Sequence, residues 1–139
     1  MKKSQFTTEE IRLVKRSFAR CFLKEDMILK FLNIIVESHE EIAPHFTNTD
    51  FDQIKLLLRQ GINCTIMYAE GVFAGEFCME ELRVSHNRKH MAINPKYYPY
   101  WIASLRQAVS ELDPQYSEEL GDLWERVVTP AVQFMADGY

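Results

Sequence analysis

Glycine and proline are scarce, five of each among 139 residues, and they fall between periodic stretches instead of at the roughly 8–12-residue intervals that short strands and hairpins require. A β-sandwich or barrel is therefore not expected. Long apolar runs are also missing, since none approaches the ~18 residues of a membrane span. The opening MKKSQFTTEE turns acidic without the apolar core of a signal peptide. Basic charge is not in excess: 16 Lys and Arg stand against 20 Asp and Glu, a net charge of −4, with a pI near 5.6. A protein gripping phosphate backbones usually shows the opposite balance, so neither nucleic acid nor membrane is expected as a partner. Cysteine is limited to Cys21, Cys64 and Cys78, an odd number without CxxC spacing and each among apolar neighbours, which reads as reduced buried thiols in a cytoplasmic protein.

What is present is apolar content at 47% and charged content at 26%, close to the soluble globular average, which excludes disordered and low-complexity classes. The length suits one domain over 1–139. It allows a core large enough to enclose a cofactor.

The periodicity predicts six helices. Thr7 and Glu10 form a T-x-x-E capping box ahead of Ile11, Val14, Phe18, Cys21 and Phe22, giving a helix over about 8–23. A second runs from about Glu25 to Ser38 through Ile28, Phe31, Leu32, Ile35 and Val36. After the corner APHFTNTD, Thr49 or Asp50 caps a third through Ile54, Leu57, Leu58, Ile62 and Ile66 to about Tyr68. FCMEELRVSHNRKHM, following Gly71 and Gly75, is a shorter fourth. Asn94–Pro95 and Asp113–Pro114 are N-cap and first-turn pairs for a fifth and a sixth, the latter disturbed at Pro130.

Met79, Leu82, His86 and His90 recur every three or four residues, with Ile93 just beyond, so the two histidines share one apolar face of the fourth helix. Three readings are open from this spacing. A histidine on such a face can be a satisfied polar group, hydrogen-bonded to a carbonyl or carboxylate. The pair can hold zinc, given Cys78 or Glu81 as a further ligand. Or one neutral imidazole can be the axial ligand to haem iron, with Leu82 packed one turn away. Across from it, the third helix offers Gln53 and, four residues on, Leu57. The amide could donate a hydrogen bond to a bound gas or simply lie in water. Phe46, after Pro44 in the corner, is expected inside, against a cofactor edge or as a core plug.

Taken in order, these residues resemble a bacterial single-domain globin of the three-over-three type. Phe46 in PHFTNTDFDQ, the Gln53/Leu57 pair, Leu82 to His86, and the stretches INPKYYPYWIASL and LWERVVTPAVQFM carry the likeness over nearly the whole chain. The resemblance implies an all-α globin fold enclosing haem b (iron protoporphyrin IX) between the third and fourth helices. It implies His86 as the iron ligand, Leu82 beneath the haem, Phe46 at its edge, and Gln53 and Leu57 on the distal side. Leu32 takes the distal position where many bacterial relatives carry tyrosine, which removes a hydroxyl donor for bound oxygen.

Counting back from Tyr98–Pro99 leaves His90 as the alternative ligand. That choice would bury His86 where relatives place leucine, so His86 is favoured and His90 is assigned to the rim or a haem propionate. Shifting the distal register by one residue would exchange Gln53 for Ile54. Tyr97, Tyr98 and Trp101 are expected to close the proximal side, with one tyrosine hydrogen-bonded to His86.

The function implied is reversible binding of O2, NO or CO. The alternatives are a nitric oxide dioxygenase served by a separate reductase, and a haem-free sensor or interaction module. A homodimer is compatible with the sequence.

Overall fold

The computed structural model describes residues 4–46, 50–87 and 93–139. All its regular structure is helical: α1 (Thr8–Arg20), α2 (Met27–Ser38), α3 (Phe51–Glu70), α4 (Phe73–His86), α5 (Tyr98–Leu112) and α6 (Glu118–Asp137), with 3-10 turns over Ala43–Phe46 and Pro95–Tyr97. α3 packs on both α1 and α4, while α5 packs on both α2 and α6. These two sets of three form the layers of a three-over-three sandwich. Contacts of α6 with α1, α3 and α4, and of α2 with α3, join the layers.

Local chemistry sets most helix starts. The capping box is formed, with Glu10 N–H donating to Thr7 Oγ1 at 3.0 Å and Thr7 N–H to a Glu10 carboxylate oxygen at 2.9 Å. This satisfies two otherwise orphaned donors. Asp26 caps α2 by accepting from the N–H groups of Ile28 and Leu29, and its second oxygen takes Lys55 Nζ of α3 at 2.7 Å. Asp50 caps α3; Thr49, the other expected cap, lies outside the described residues. Ser117 caps α6 through Leu120 N–H. Pro130 lies inside α6, where the helix loses the hydrogen bond that residue 130 would donate. No described helix is long and apolar enough to cross a membrane.

Several boundaries correct the sequence reading. α4 ends at His86, where Asn87 is already extended, and does not run on as a helix through the whole stretch to Met91. Asn94–Pro95 opens a 3-10 turn, and α5 itself starts at Tyr98. α1 stops at Arg20 and α2 starts at Met27, because the Asp26 cap overrides the apolar pattern around it. α4 begins at Phe73, so Gly75 is inside the helix and not ahead of it. Asp113–Pro114 does not open α6: Asp113 ends α5 and its carboxylate turns inward.

Gly75 has a packing reason to be where it is. A Cβ there would stand 2.5 Å from Met67 O and from Tyr68 N, so α3 and α4 touch backbone to backbone. Gly71, at φ 83° in the left-handed region, makes the turn between them. Gly-to-Ala inside a helix normally stabilises by about 1 kcal/mol. Gly75→Ala is expected to do the reverse, costing about 2–3 kcal/mol by overpacking and lowering Tm by roughly 5–10 °C. A thermal melt with Tm unchanged or raised would contradict this backbone contact.

The core centres on Trp124, Phe31, Met27, Ile62, Leu105 and Val127, each almost fully buried. It is tied by a polar network. Trp124 Nε1–H donates to Ser17 Oγ at 2.9 Å, and Ser17 Oγ–H donates to Asp113 Oδ2 at 2.6 Å. Arg20 grips both Asp113 oxygens, at 2.7 and 2.9 Å.

Candidate functional site

The site is built where α3 and α4 run antiparallel. Their closed end is the Gly75–Met67 contact together with Cys64 and Cys78, whose Cα atoms are 5.8 Å apart and which are joined as a disulfide. This corrects the expectation of three free thiols, since only Cys21 is unpaired. Helical spacing then places Leu57, seven residues before Cys64, on the α3 face that looks at α4, and places Leu82 and His86 on the α4 stripe of Cys78. The open end of the cleft is thus flanked by the start of α3 and the end of α4.

His86 is half-buried at the last turn of α4. Its Nδ1 lies 2.8 Å from Leu82 O and 3.0 Å from Ser85 Oγ. A carbonyl oxygen can only accept, so Nδ1 carries the hydrogen and the neutral ring keeps its lone pair on Nε2. Burial lowers the His86 pKa below its ordinary value, with the Leu82 hydrogen bond opposing only in part. The ring is therefore neutral at pH 7 and oriented, and its Nε2 has no hydrogen-bond partner among the described residues.

The other expected site residues separate into groups. Leu32 is buried in the main core, and Phe46 is partly buried against the same cluster. Leu82 is half-buried in a smaller cluster with Cys64, Met79 and Ala131. Ile93 is half-buried, and its N–H donates to His86 O at 3.1 Å, so it lies at the end of α4 as expected. Leu57 is 49% exposed although it is a large apolar residue on the α3 face toward α4. Gln53 is exposed on the first turn of α3, whereas Ile54 is turned into the core. His90 lies outside the described residues.

Among the described residues no tyrosine is hydrogen-bonded to His86. Tyr97 O–H donates to Glu41, and Tyr98, half-buried, has its phenol pushed up to about 12, chiefly by burial and then by Tyr139. Trp101 packs edge-on to Phe31 at 5.5 Å between centroids. Hydrogen bonding to the imidazole comes from the helix's own Leu82 carbonyl and from Ser85, which sequence reasoning passed over. The signal available was a serine beside the histidine in the last turn, where such hydroxyls commonly bond back along the helix. Gly61 was also passed over. It sits four residues after Leu57, and a Cβ built on it would meet nothing within 4 Å.

These residues fit a haem better than a bare ion. One oriented imidazole stands beside aliphatic side chains, and open space adjoins Gly61. The zinc alternative loses Cys78, whose sulfur is bonded to Cys64; among the described residues no group of three or more His, Cys, Asp or Glu side chains converges for a metal. Two surface grooves of about 660 and 380 Å³ share Gln5, Phe6, Thr129 and Pro130; the first lies between the N-terminal segment and α6, and the second extends to Tyr68, Gly71 and Glu76 at the turn between α3 and α4.

This architecture overlays the crystal structure of a Pseudomonas aeruginosa PAO1 protein described as structurally highly homologous to a human hemoglobin, with a TM-score of 0.87, 29% identity, and coverage of 94% of this chain and 98% of that one. The fold is globin-like. No family model matches the sequence, and no curated protein matches it. In this globin-like fold the α3–α4 cleft is the feature that the sequence reading assigned to the cofactor, and the short αL turn at Gly71 brings its two walls together.

Proposed function

We propose that this chain holds haem b in the α3–α4 cleft through His86 and reversibly binds a diatomic gas, O2, NO or CO. The observation that carries the reading is the His86 ring: the Nδ1–H to Leu82 O bond at 2.8 Å leaves Nε2 with its lone pair free. Such a bond from the second ring nitrogen fixes the tautomer and raises ligand basicity. The globin-like fold and the likeness to a hemoglobin homologue support the same reading.

When bound, haem supplies an iron with an exchangeable position for the gas. The protein's part is binding, orientation and exclusion of water. His86 would hold the iron and Leu82 would pack one turn away. Phe46 would press against the edge, with Ile93 and Tyr98 completing the proximal wall. On the distal side Leu32 and Leu57 would present aliphatic surface, and Gln53 would be the amide donor nearest the mouth. His90 would serve a propionate at the rim. With leucine at position 32 no hydroxyl backs the amide, so bound oxygen is held by one donor at most.

The test is an absorbance series on purified protein mixed with haemin. A Soret band in the ferric form, its displacement on reduction and CO addition, and iron near one per chain are expected. Protein that stays colourless after removal of free haemin would overturn the proposal.

A further inference from the structure

The Cys64–Cys78 pair lies outside everything the proposed haem site uses, yet it sits at the hinge of the cleft. The two residues are 14 apart in sequence with Cα atoms 5.8 Å apart, inside the range that a disulfide spans without moving the backbone. Cys64 is 3% exposed, whereas Cys78 is half-buried. Cys78 is thus the sulfur an exchange partner can reach. The third cysteine cannot compete: Cys21 is buried among core residues, and burial pushes its thiol up to about 12, which leaves almost no thiolate to react.

Cys78, Leu82 and His86 follow one another at four-residue steps, so the bridge fixes the stripe that carries the imidazole about 12 Å along the same helix. Opened, the two sulfurs would be small apolar groups in the cluster of Met79, Ala131 and Leu82. α3 and α4 would then be held at this end by the Gly75 contact and the packing of that cluster, with no covalent tie.

We propose that Cys64 and Cys78 form a reversible dithiol–disulfide pair whose state sets the opening of the α3–α4 cleft and, through it, the retention of haem. The second half rests on the haem reading above. In forming the bridge the two thiols lose two protons and two electrons to a low-molecular-weight disulfide such as glutathione disulfide. Cys78 thiolate attacks one glutathione sulfur and releases the first glutathione, and Cys64 thiolate then displaces the second from the mixed disulfide. In a reducing compartment a bridge of this kind is transient and responds to the thiol pool.

The experiment equilibrates the purified protein in glutathione buffers from fully reduced to fully oxidised, then denatures it, labels it with maleimide and weighs it. Three labels are expected in the reduced form and one, on Cys21, in the oxidised form. Haem loss to excess apomyoglobin is followed by absorbance in both forms. The oxidised form is expected to lose haem at least about fivefold more slowly, and Cys78→Ser and Cys64→Ala should show no dependence on the buffer. Three labels under oxidising glutathione, or bridging with equal haem loss, would overturn the proposal. If neither form takes up haem, the haem reading falls by itself. Hydrogen exchange of the α4 amides over 79–86 then decides: slower exchange in the bridged form upholds control of the cleft, and equal exchange refutes it.

Discussion

His86→Ala is expected to abolish haem retention, so that the variant elutes from a desalting column without a Soret band while His90→Ala keeps one. Among the described residues His86 has its Nδ1–H bonded to Leu82 O, which leaves Nε2 with the lone pair for iron. A ligand that binds the folded chain and not the unfolded one stabilises by about 4 kcal/mol at 1,000 times its dissociation constant. The haem-loaded wild type should therefore melt well above the variant, and the two should converge once haem is withheld. The opposite pattern, haem kept by His86→Ala and lost by His90→Ala, would move the ligand to His90.

Acid adds a second signature to this residue. Burial keeps the His86 pKa below the ordinary 6.5, so as the pH falls through about 6.5 the unfolded chain takes up a proton that the folded ring refuses. Stability is predicted to fall from that point down to the lower folded value and to level off below it. Haem release is expected only further down, as the pH falls through the lowered folded value, since only the neutral ring can ligate.

Asp113→Ala is predicted to be the most damaging single change away from the cleft, costing about 3–5 kcal/mol and roughly 10–20 °C in Tm. The Asp113 side chain is wholly buried and receives Arg20 Nε at 2.7 Å. It also accepts from Ser17 Oγ and from the N–H of Gln115. Removing it strands a guanidinium that is only one-fifth exposed and leaves the Ser17 hydroxyl, itself the acceptor for Trp124, without its partner. Burial alone would raise the Asp113 pKa, but the hydrogen bonds from Arg20, Ser17 and Gln115 outweigh it and hold the carboxyl below its ordinary 3.8. Its contribution is thus complete above about pH 4 and is lost only as the pH falls through that depressed value. Ser17→Ala should cost less, about 1–2 kcal/mol. Denaturant melts at pH 7 and pH 3 check both: an Asp113→Ala loss below about 1 kcal/mol would show that the network contributes little.

The helices were legible because each needs only short-range information, whereas the two-layer order came only with the globin resemblance. Ile11, Val14 and Phe18 declare one face, and the Thr7–Glu10 box declares where it starts. Asp113–Pro114 was misread for the same reason. Locally it has the form of an N-cap pair, and nothing near it announces an arginine 93 residues away. The Cys64–Cys78 contact was equally hidden, since fourteen residues without a CxxC pattern say nothing about facing stripes. At the cleft, the spacing of Leu82 and His86 sufficed to place the imidazole on a face. It could not show that the partner of the ring would be a backbone carbonyl and not a tyrosine. Gln53 and Ile54 differ by one residue in register, and periodicity alone could not say which would pack in the main core; the structure packs Ile54 there and leaves Gln53 exposed on the first turn of α3.

Arg106 draws together the opening turns of α6, holding Asp122 at 2.7 Å and Glu118 at 2.8 Å, with Glu125 at 3.4 Å. Its partners lie 12 to 19 positions along the chain, whereas Arg20 must wait for Asp113 and Ser17 for Trp124, 93 and 107 positions off. Short loops close at lower entropic cost, so the C-terminal hairpin is expected to assemble early and the N-terminal helix to dock late. Arg106→Ala should then slow refolding, while Ser17→Ala should mainly hasten unfolding.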